Sequence, residues 1–365
     1  MRKRTKISLA ATAGVAAITA TAAVAITSAT ADAEAAAHNQ MVAGTVWVAN
    51  EEGASLTAID ATSNTVSTTL TGIESPHNVQ VSPDGLSVWA VSGTTSMAVE
   101  LDAQTSELRG AATTGAMPAH VVITPDGTTS YVSNNGDDTV SAFDTATAET
   151  IATIRVGSGP HGLRPSPDGS MVVVANVAGT TLSVIDTTTN TRTDDIEVGK
   201  SPAQVAFSPD GRFVYASLNG ENAVAKVDVA TRKLVATIPV GEGPIQTFVT
   251  PSGEYLLVAN QGTEEDPSNT VSVIRTDTFA VEHTLFTGEG AHGIVVDPTS
   301  RHAYITNTFD DSVSVLDLKK MRVVATVRVG TMPNGISFSA HPTQMTAMTR
   351  LNLKMDEKSG VPMGH

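Results

Sequence analysis

From about residue 45 onward the chain alternates strand-length apolar runs with clusters of turn-forming residues. One stretch reads GLRPS, SMVVVAN, TLSVID and TRTDDIEV, separated by PDG, VAGT and TTTN. Runs of five to eight residues rich in Val, Ile and Thr, bounded by Gly, Pro, Asn and Asp, predict β-strands. No segment of this region offers ten residues at helical period, so a helical solenoid is excluded.

The pattern repeats. PDG recurs at 83–85, 125–127, 167–169 and 209–211, PSG follows at 251–253, and Pro298-Thr299-Ser300 closes the series. The first four intervals between these prolines are 42 residues and the last is 47. Asn50, Ser92, Asn134, Asn176, Leu218, Asn260 and Asn307, each at the end of a short apolar run, keep the same spacing and the same jump. A third marker, the residue ending the following strand (Asp60, Asp102, Asp144, Asp186, Asp228, Arg275 and Asp317), makes the jump before Arg275, so the five extra residues lie between Asn260 and Val271. Four antiparallel strands repeated every 40–45 residues or so predict a propeller blade.

Seven copies of the second strand are present, but only six first strands precede them. The missing copy is at the far end of the chain, in Pro333-Asn334-Gly335-Ile336-Ser337-Phe338-Ser339. The fold expected is all-β: a seven-bladed β-propeller over residues 45–341, with four antiparallel strands per blade. Residues 334–340 supply the innermost strand of the N-terminal blade and close the ring. Closure removes the exposed sheet edges that would otherwise template aggregation.

The motifs YVSN, VYAS, LLVAN and AYITN, each followed by a loop and a strand such as TVSAFD, LSVIDT or SVSVLD, resemble the YVTN-type β-propeller repeat. The strand endings ATIPVGEGP and ATVRVGTMP fit the same likeness. The chain is similar to exported YncE-like propellers, to archaeal surface-layer propellers and, more broadly, to seven-bladed lactonases. The resemblance covers about residues 45–341 and implies the fold. Function is implied only as a set of alternatives, because propellers host unrelated activities.

The first forty residues differ in kind. A basic MRKRTK precedes an uncharged Ala/Thr-rich run, and small-residue cleavage sites follow it, from Ala29-Thr30-Ala31 to Ala35-Ala36-Ala37. This order is that of a signal peptide, residues 1–37, cleaved between about 31 and 37. Secretion or an extracytoplasmic location is expected, with no membrane insertion once the signal is removed. The 365-residue chain carries a net charge of −15, and loss of Arg2, Lys3, Arg4 and Lys6 leaves roughly −19. Such a surface repels phosphate backbones, which excludes the usual nucleic-acid footprint. Cysteine is absent, so disulfides and thiol chemistry are excluded too. A monomer is expected. The Met-bearing residues 342–365 fall outside the repeats and read as a flexible tail.

In a propeller, the connector leading into each innermost strand opens at one mouth of the central channel, and the PDG turns open at the other. In register, the connectors place Pro76, Pro118, Pro160, Pro202, Pro244, Ala291 and Pro333 at one position. One residue later come His77, Ala119, His161, Ala203, Ile245, His292 and Asn334. Asn78, His120, Gln204 and Gln246 follow in the next position. Four of the nine histidines thus fall on one rim. The ligand-binding set expected at this mouth is His77, His120, His161, His292, Asn78, Gln204, Gln246 and Asn334.

Imidazoles converging across a narrow channel suit a divalent or copper ion. His77, His161 and His292 are the candidate ligands, with Glu74 and Glu289 as carboxylates beside them. No other cofactor is suggested. His120 is one residue out of register, which on a regular strand turns its side chain to the opposite face. A connector histidine can equally fix the loop by bonding a neighbouring blade's backbone, and the sequence leaves both roles open. The leading expectation is an exported propeller binding a small molecule or protein partner at the channel mouth. A metal- or His/Glu-dependent lactonase-like hydrolase or lyase, and a surface-layer component, are the alternatives.

Overall fold

The computed structural model describes residues 42–344 and 349–351. The signal segment, and Met345, Met348, Met355 and Met363 of the tail, lie outside the described residues.

Seven antiparallel sheets form seven blades. Blade 1 begins at Thr45–Asn50, and its innermost strand is Pro333–Ser339, which pairs antiparallel with it through Thr45↔Ser339 and Val48↔Ile336. The ring closes as the repeat count predicted. The innermost strands of blades 2 to 7 are Val79–Val81, Pro118–Ile123, Pro160–Pro165, Pro202–Phe207, Pro244–Val249 and Ala291–Val296. The five-residue insertion lengthens the hairpin of blade 6, whose middle strands run Tyr255–Gly262 and Pro267–Arg275.

Closure is also visible in the packing. The buried apolar residues fall into seven clusters, each joining two neighbouring blades. Val173, Val184 and Ile196 of blade 4 meet Val205, Val214 and Val227 of blade 5. The last cluster joins Val295, Tyr304 and Val315 of blade 7 to Val46, Val48 and Ile59 of blade 1. Trp47, between Val46 and Val48, faces the other way into the cluster shared with blade 2. Successive side chains of a strand point to opposite faces. The middle strands are covered on both faces and are buried at nearly every position, whereas outermost strands such as Thr191–Glu197 are mostly exposed.

The asparagine ending the second strand has a fixed duty in five blades. Its Nδ2 donates to two hydroxyls of the next strand, as Asn134 does to Thr139 and Ser141, both at 2.9 Å. Asn50, Asn176, Asn260 and Asn307 do the same.

Three tail residues depart from the sequence expectation. Thr349–Arg350 pair in parallel with the outermost strand of blade 1, Thr65–Thr71, and Leu351 is buried in the blade 1–2 cluster. That strand leaves one edge unpaired, and a two-residue strand anchored by the buried Leu351 caps it without belonging to the repeat.

Candidate functional site

The entry to each innermost strand is built alike. The residue before the reference position has positive φ in all seven blades: Ser75, Met117, Gly159, Ser201, Gly243, Gly290 and Met332. The strand then bulges, so that two residues oppose one; in blade 3, Pro118↔Asn134 is followed by Val121↔Val132. The bulge frees the amide of the second residue, and a hydroxyl satisfies it. Ser133 Oγ accepts from His120 N at 3.1 Å and donates to the carbonyl of His161 at 2.6 Å. Ser217 links Gln204 to Ile245, and Thr306 links Gly293 to Asn334, in the same way. Each relay fixes the first bulge residue of the next blade, which is how His161 and Asn334 are aimed.

In six blades the two bulge positions are filled in a complementary manner, blade 2 with His77 and Asn78 being the exception. Where the first is His161, His292 or Asn334, the second is glycine; where the first is Ala119, Ala203 or Ile245, the second is His120, Gln204 or Gln246. At Gly335, a Cβ would lie 2.5 Å from Cα of Asn78 and 2.9 Å from the carbonyl oxygen of His77, so neighbouring channel strands are in backbone contact there.

The bulge overturns one expectation from the sequence. His120 is not turned away; its ring centroid lies 4.6 Å from that of His161 and 5.5 Å from that of His77. His77 lies 5.2 Å from His161 and 5.8 Å from His292. The four histidines thus gather at one point of the mouth. Among the described residues, His77, His120 and His161 present ring nitrogens that all lie within 4.8 Å of one another.

Glu74 and Glu289, the carboxylates expected beside the imidazoles, are exposed. Their backbones serve the connectors, Glu74 O accepting from Ser92 Oγ and Glu289 N donating to Asp310. The carboxylate that reaches the cluster is Glu51, whose Oε2 lies 2.9 Å from His77 Nδ1 and also accepts from Asn334 Nδ2. Sequence reasoning missed Glu51, although a signal existed. The residue after the second-strand marker is Glu51, Gly93, Asn135, Val177, Asn219, Gln261 or Thr308, and only blade 1 has an acid there. Asn135, Asn219 and Thr308 use that position to donate to the carbonyl of the next connector's proline.

Asn78, Gln204 and Gln246 are buried and serve as ties. Asn78 Oδ1 accepts from Val121 N of blade 3, Gln246 Oε1 from Ile294 N of blade 7, and Gln204 Oε1 from Val205 N of its own strand. Asn334 is buried between Thr308 and Glu51.

Burial dominates the electrostatics. Loss of solvent, with a smaller contribution from His77, lowers His161 to about 4. Burial, then His77 and His161, lowers His292 to about 3. His120, 1% exposed, is pushed well below the usual imidazole range by burial and then by its neighbours. Burial opposes ionisation of Glu51, but the hydrogen bond with His77 and the charges of His77 and His292 hold its carboxyl below the ordinary value. His120, His161 and His292 are thereby kept as neutral bases beside an ionised carboxylate.

His77 and His161 of the cluster line a pocket of about 570 Å³ together with Glu51, Ser75, Thr94, Met117, Pro118 and Ala119. Met117 is 62% exposed, an uncommon presentation for a large apolar side chain.

Residues 89–357 match the family described as YNCE-like beta-propeller. No curated protein matches the chain. Among solved structures, a chain of hydrazine synthase from Kuenenia stuttgartiensis is 25% identical with a TM-score of 0.67, over 73% of this chain and 90% of that one. A functionally unknown protein from Desulfotomaculum acetoxidans superposes with a TM-score of 0.72 at 16% identity, over 82% of this chain and 99% of that one. A putative 6-phosphogluconolactonase from Bacteroides uniformis has a TM-score of 0.69 at 17% identity, over 81% and 99%. At these last two identities the likeness is one of fold alone.

Proposed function

The chain belongs to the YNCE-like β-propeller family, and from that premise we propose that it is an exported binding protein whose ligand site is the channel-mouth pocket. One observation carries the reading: His77, His161 and Glu51 line a cavity of about 570 Å³, with the rings of His120 and His292 packed against His77 behind them. That volume is in the range of small-molecule sites, which are concave and partly apolar with a few convergent polar groups. Met117, Pro118 and Ala119 supply the apolar side, and His77, His161 and Glu51 supply the polar one. The opposite end of the channel carries four near-identical turns whose hydroxyls and aspartates bond to one another.

Export rests on the N-terminal order of basic residues, apolar run and small-residue sites. N-terminal sequencing of the chain recovered outside the cytoplasm tests it, with a start between about residues 31 and 37 expected from the cleavage pattern.

The binding role is tested by a thermal-shift screen of small polar metabolites against the wild type and Thr94→Trp. Thr94 is exposed at the pocket rim, so the indole would fill the cavity without entering the core. Compounds that stabilise the wild type but not Thr94→Trp are expected; a screen in which every active compound shifts both proteins equally would put the binding site elsewhere. Hydrolysis of lactones that disappears in His77→Asn would replace the binding reading with an enzymatic one.

A further inference from the structure

We propose that the channel mouth is a metal centre in which His77, His120 and His161 bind one divalent late first-row ion, of the zinc or copper kind. Glu51 orients His77 from behind, and the remaining coordination position opens to the pocket. The proposal deepens the pocket reading and rests on it for that open position; the ligand set is argued from the imidazoles alone.

His161 Nδ1 lies 2.9 Å from the carbonyl oxygen of Ala203, which can only accept, so Nδ1 carries the hydrogen and Nε2 is bare. His77 Nδ1 lies 2.9 Å from the Glu51 carboxylate and by the same logic carries its hydrogen there. With that hydrogen on Nδ1, the neutral form of His77 has a bare Nε2 as well. These two Nε2 atoms face each other at 3.1 Å. With both rings neutral, two lone pairs at that distance repel, and either a proton or a metal cation between them removes the repulsion.

The spacing fits a metal. Donors bonded at about 2.0–2.1 Å around a tetrahedral ion are about 3.3 Å apart, close to the 3.1 Å observed. His120 adds the third donor. Both of its nitrogens are buried and without a hydrogen-bond partner, an arrangement costly for a polar ring that serves nothing. Gln204 and Gln246, at the equivalent position in two other blades, accept backbone hydrogen bonds that the imidazole does not. His292, with Nδ1 unpartnered, stands beside the triad as a fourth imidazole.

Neighbouring groups point the same way. Burial keeps His161 unprotonated at neutral pH, so its donor nitrogen is available. A carboxylate on the far nitrogen of a ligand histidine fixes the ring and raises its basicity, and Glu51 occupies that place on His77. Its negative charge also offsets that of Arg164, which lies near His120. An imidazole donor set selects zinc and copper over magnesium and calcium, which prefer oxygen.

The test uses the full chain, stripped with chelator, gel-filtered and equilibrated with Zn²⁺ alone, with metal content read by elemental analysis. The wild type is expected to hold about one zinc per chain, and Co²⁺ in its place to show the visible absorption of a tetrahedral nitrogen-rich site. His120→Gln and His77→Asn introduce side chains that other blades carry at the same positions, so both variants should fold, as checked by circular dichroism. Each is expected to weaken zinc binding by about 100-fold or more, and Glu51→Gln by about 10- to 100-fold. A wild type retaining less than about 0.1 zinc per chain would overturn the proposal, as would both histidine variants binding within about threefold of it. Thr94→Trp should lose small-molecule capture and keep zinc, so the pocket reading and the metal centre can fail separately.

Discussion

The two ends of the channel are made from the same strands, and they treat side chains differently. At the PDG end, four turns repeat one set of bonds. A Ser or Thr hydroxyl donates to the aspartate at 2.6 Å in blades 2, 3 and 4 and at 2.5 Å in blade 5. The same oxygen accepts the amide two residues on, at 3.0 to 3.1 Å. At the mouth, the backbone is just as regular, with positive φ at seven corresponding residues, but side chains at the two bulge positions are not. One end uses its polar groups on its own turn. The other sends several of them into the channel and brings ring nitrogens of three histidines within 4.8 Å of one another. Regularity in both backbone and side chain marks a structural element; regular backbone with irregular side chains marks where chemistry has been added to it.

Glycine breaks this comparison most sharply. Gly127, in a PDG turn, has φ +76° and nothing within 4 Å of a Cβ, so Gly127→Ala should cost only the left-handed penalty of about 1–2 kcal/mol. At the mouth, Gly335 is crowded by the backbone of Asn78, Val79 and His77. A side chain there must push two blades apart at the ring closure, and Gly335→Val should lose more than about 4 kcal/mol, a magnitude reserved for such clashes. Urea unfolding of both variants, with Gly335→Ala as the milder case, checks this. Equal midpoints for Gly127→Ala and Gly335→Ala would show that the mouth yields as easily as the turn.

Acid should separate the two ends next. His161 and His292 are lowered to about 4 and about 3, chiefly by burial. Between those values and about 6.5, the unfolded chain takes up protons that the folded chain refuses. Stability is therefore fully present above about pH 6.5 and falls as pH drops, by up to about 1.4 kcal/mol per pH unit for each such histidine. The turn aspartates behave otherwise. Hydrogen bonds from Ser and Thr hydroxyls, then from backbone amides, lower Asp84, Asp126, Asp168 and Asp210, so their contribution disappears only as pH falls below the ordinary carboxylate range. Chemical denaturation in chelator from pH 7 to 4.5 should follow the histidines. A flat profile over that window would mean that the mouth opens to solvent before the protein unfolds.

The orphaned ring gives a smaller effect of opposite sign. Both nitrogens of His120 are buried without partners, so His120→Leu should stabilise the metal-free chain by about 1–3 kcal/mol, the cost of the unmet hydrogen bonds. Calorimetry in chelator measures it. Destabilisation would mean that the imidazole is satisfied in solution.

The fold was legible in the sequence because its determinants are local and repeated seven times. Three markers in one register named the blades, and the innermost strand assigned to residues 334–340 is Pro333–Ser339 in the structure. The site was legible in part. His77, His161 and His292 were placed on the rim by register alone. His120 appeared to be out of phase because a strict two-residue alternation does not hold where two residues oppose one. Glu51 lies on a different loop, 26 residues from His77 in sequence, so no local motif joins them. Glu74 and Glu289 were near the histidines in sequence, but they precede the positive-φ residue where the connector turns inward, and their side chains stay in solvent.

That same corner supplies the gentlest test. Ser201 holds φ +52° immediately before Pro202, in blade 5, whose bulge positions carry Ala203 and Gln204 and no histidine. A non-glycine residue pays a steric cost in this region, and Gly159, Gly243 and Gly290 occupy the equivalent position in blades 4, 6 and 7. Ser201→Gly relieves the Cβ contact but also loosens the unfolded chain, so the net gain should be small, about 0.5–1 kcal/mol. The urea midpoint should rise slightly with its slope unchanged, and zinc content should stay at the wild-type level. A fall in stability would show that the serine side chain is needed at the corner, and that the connectors are less alike than their backbone angles indicate.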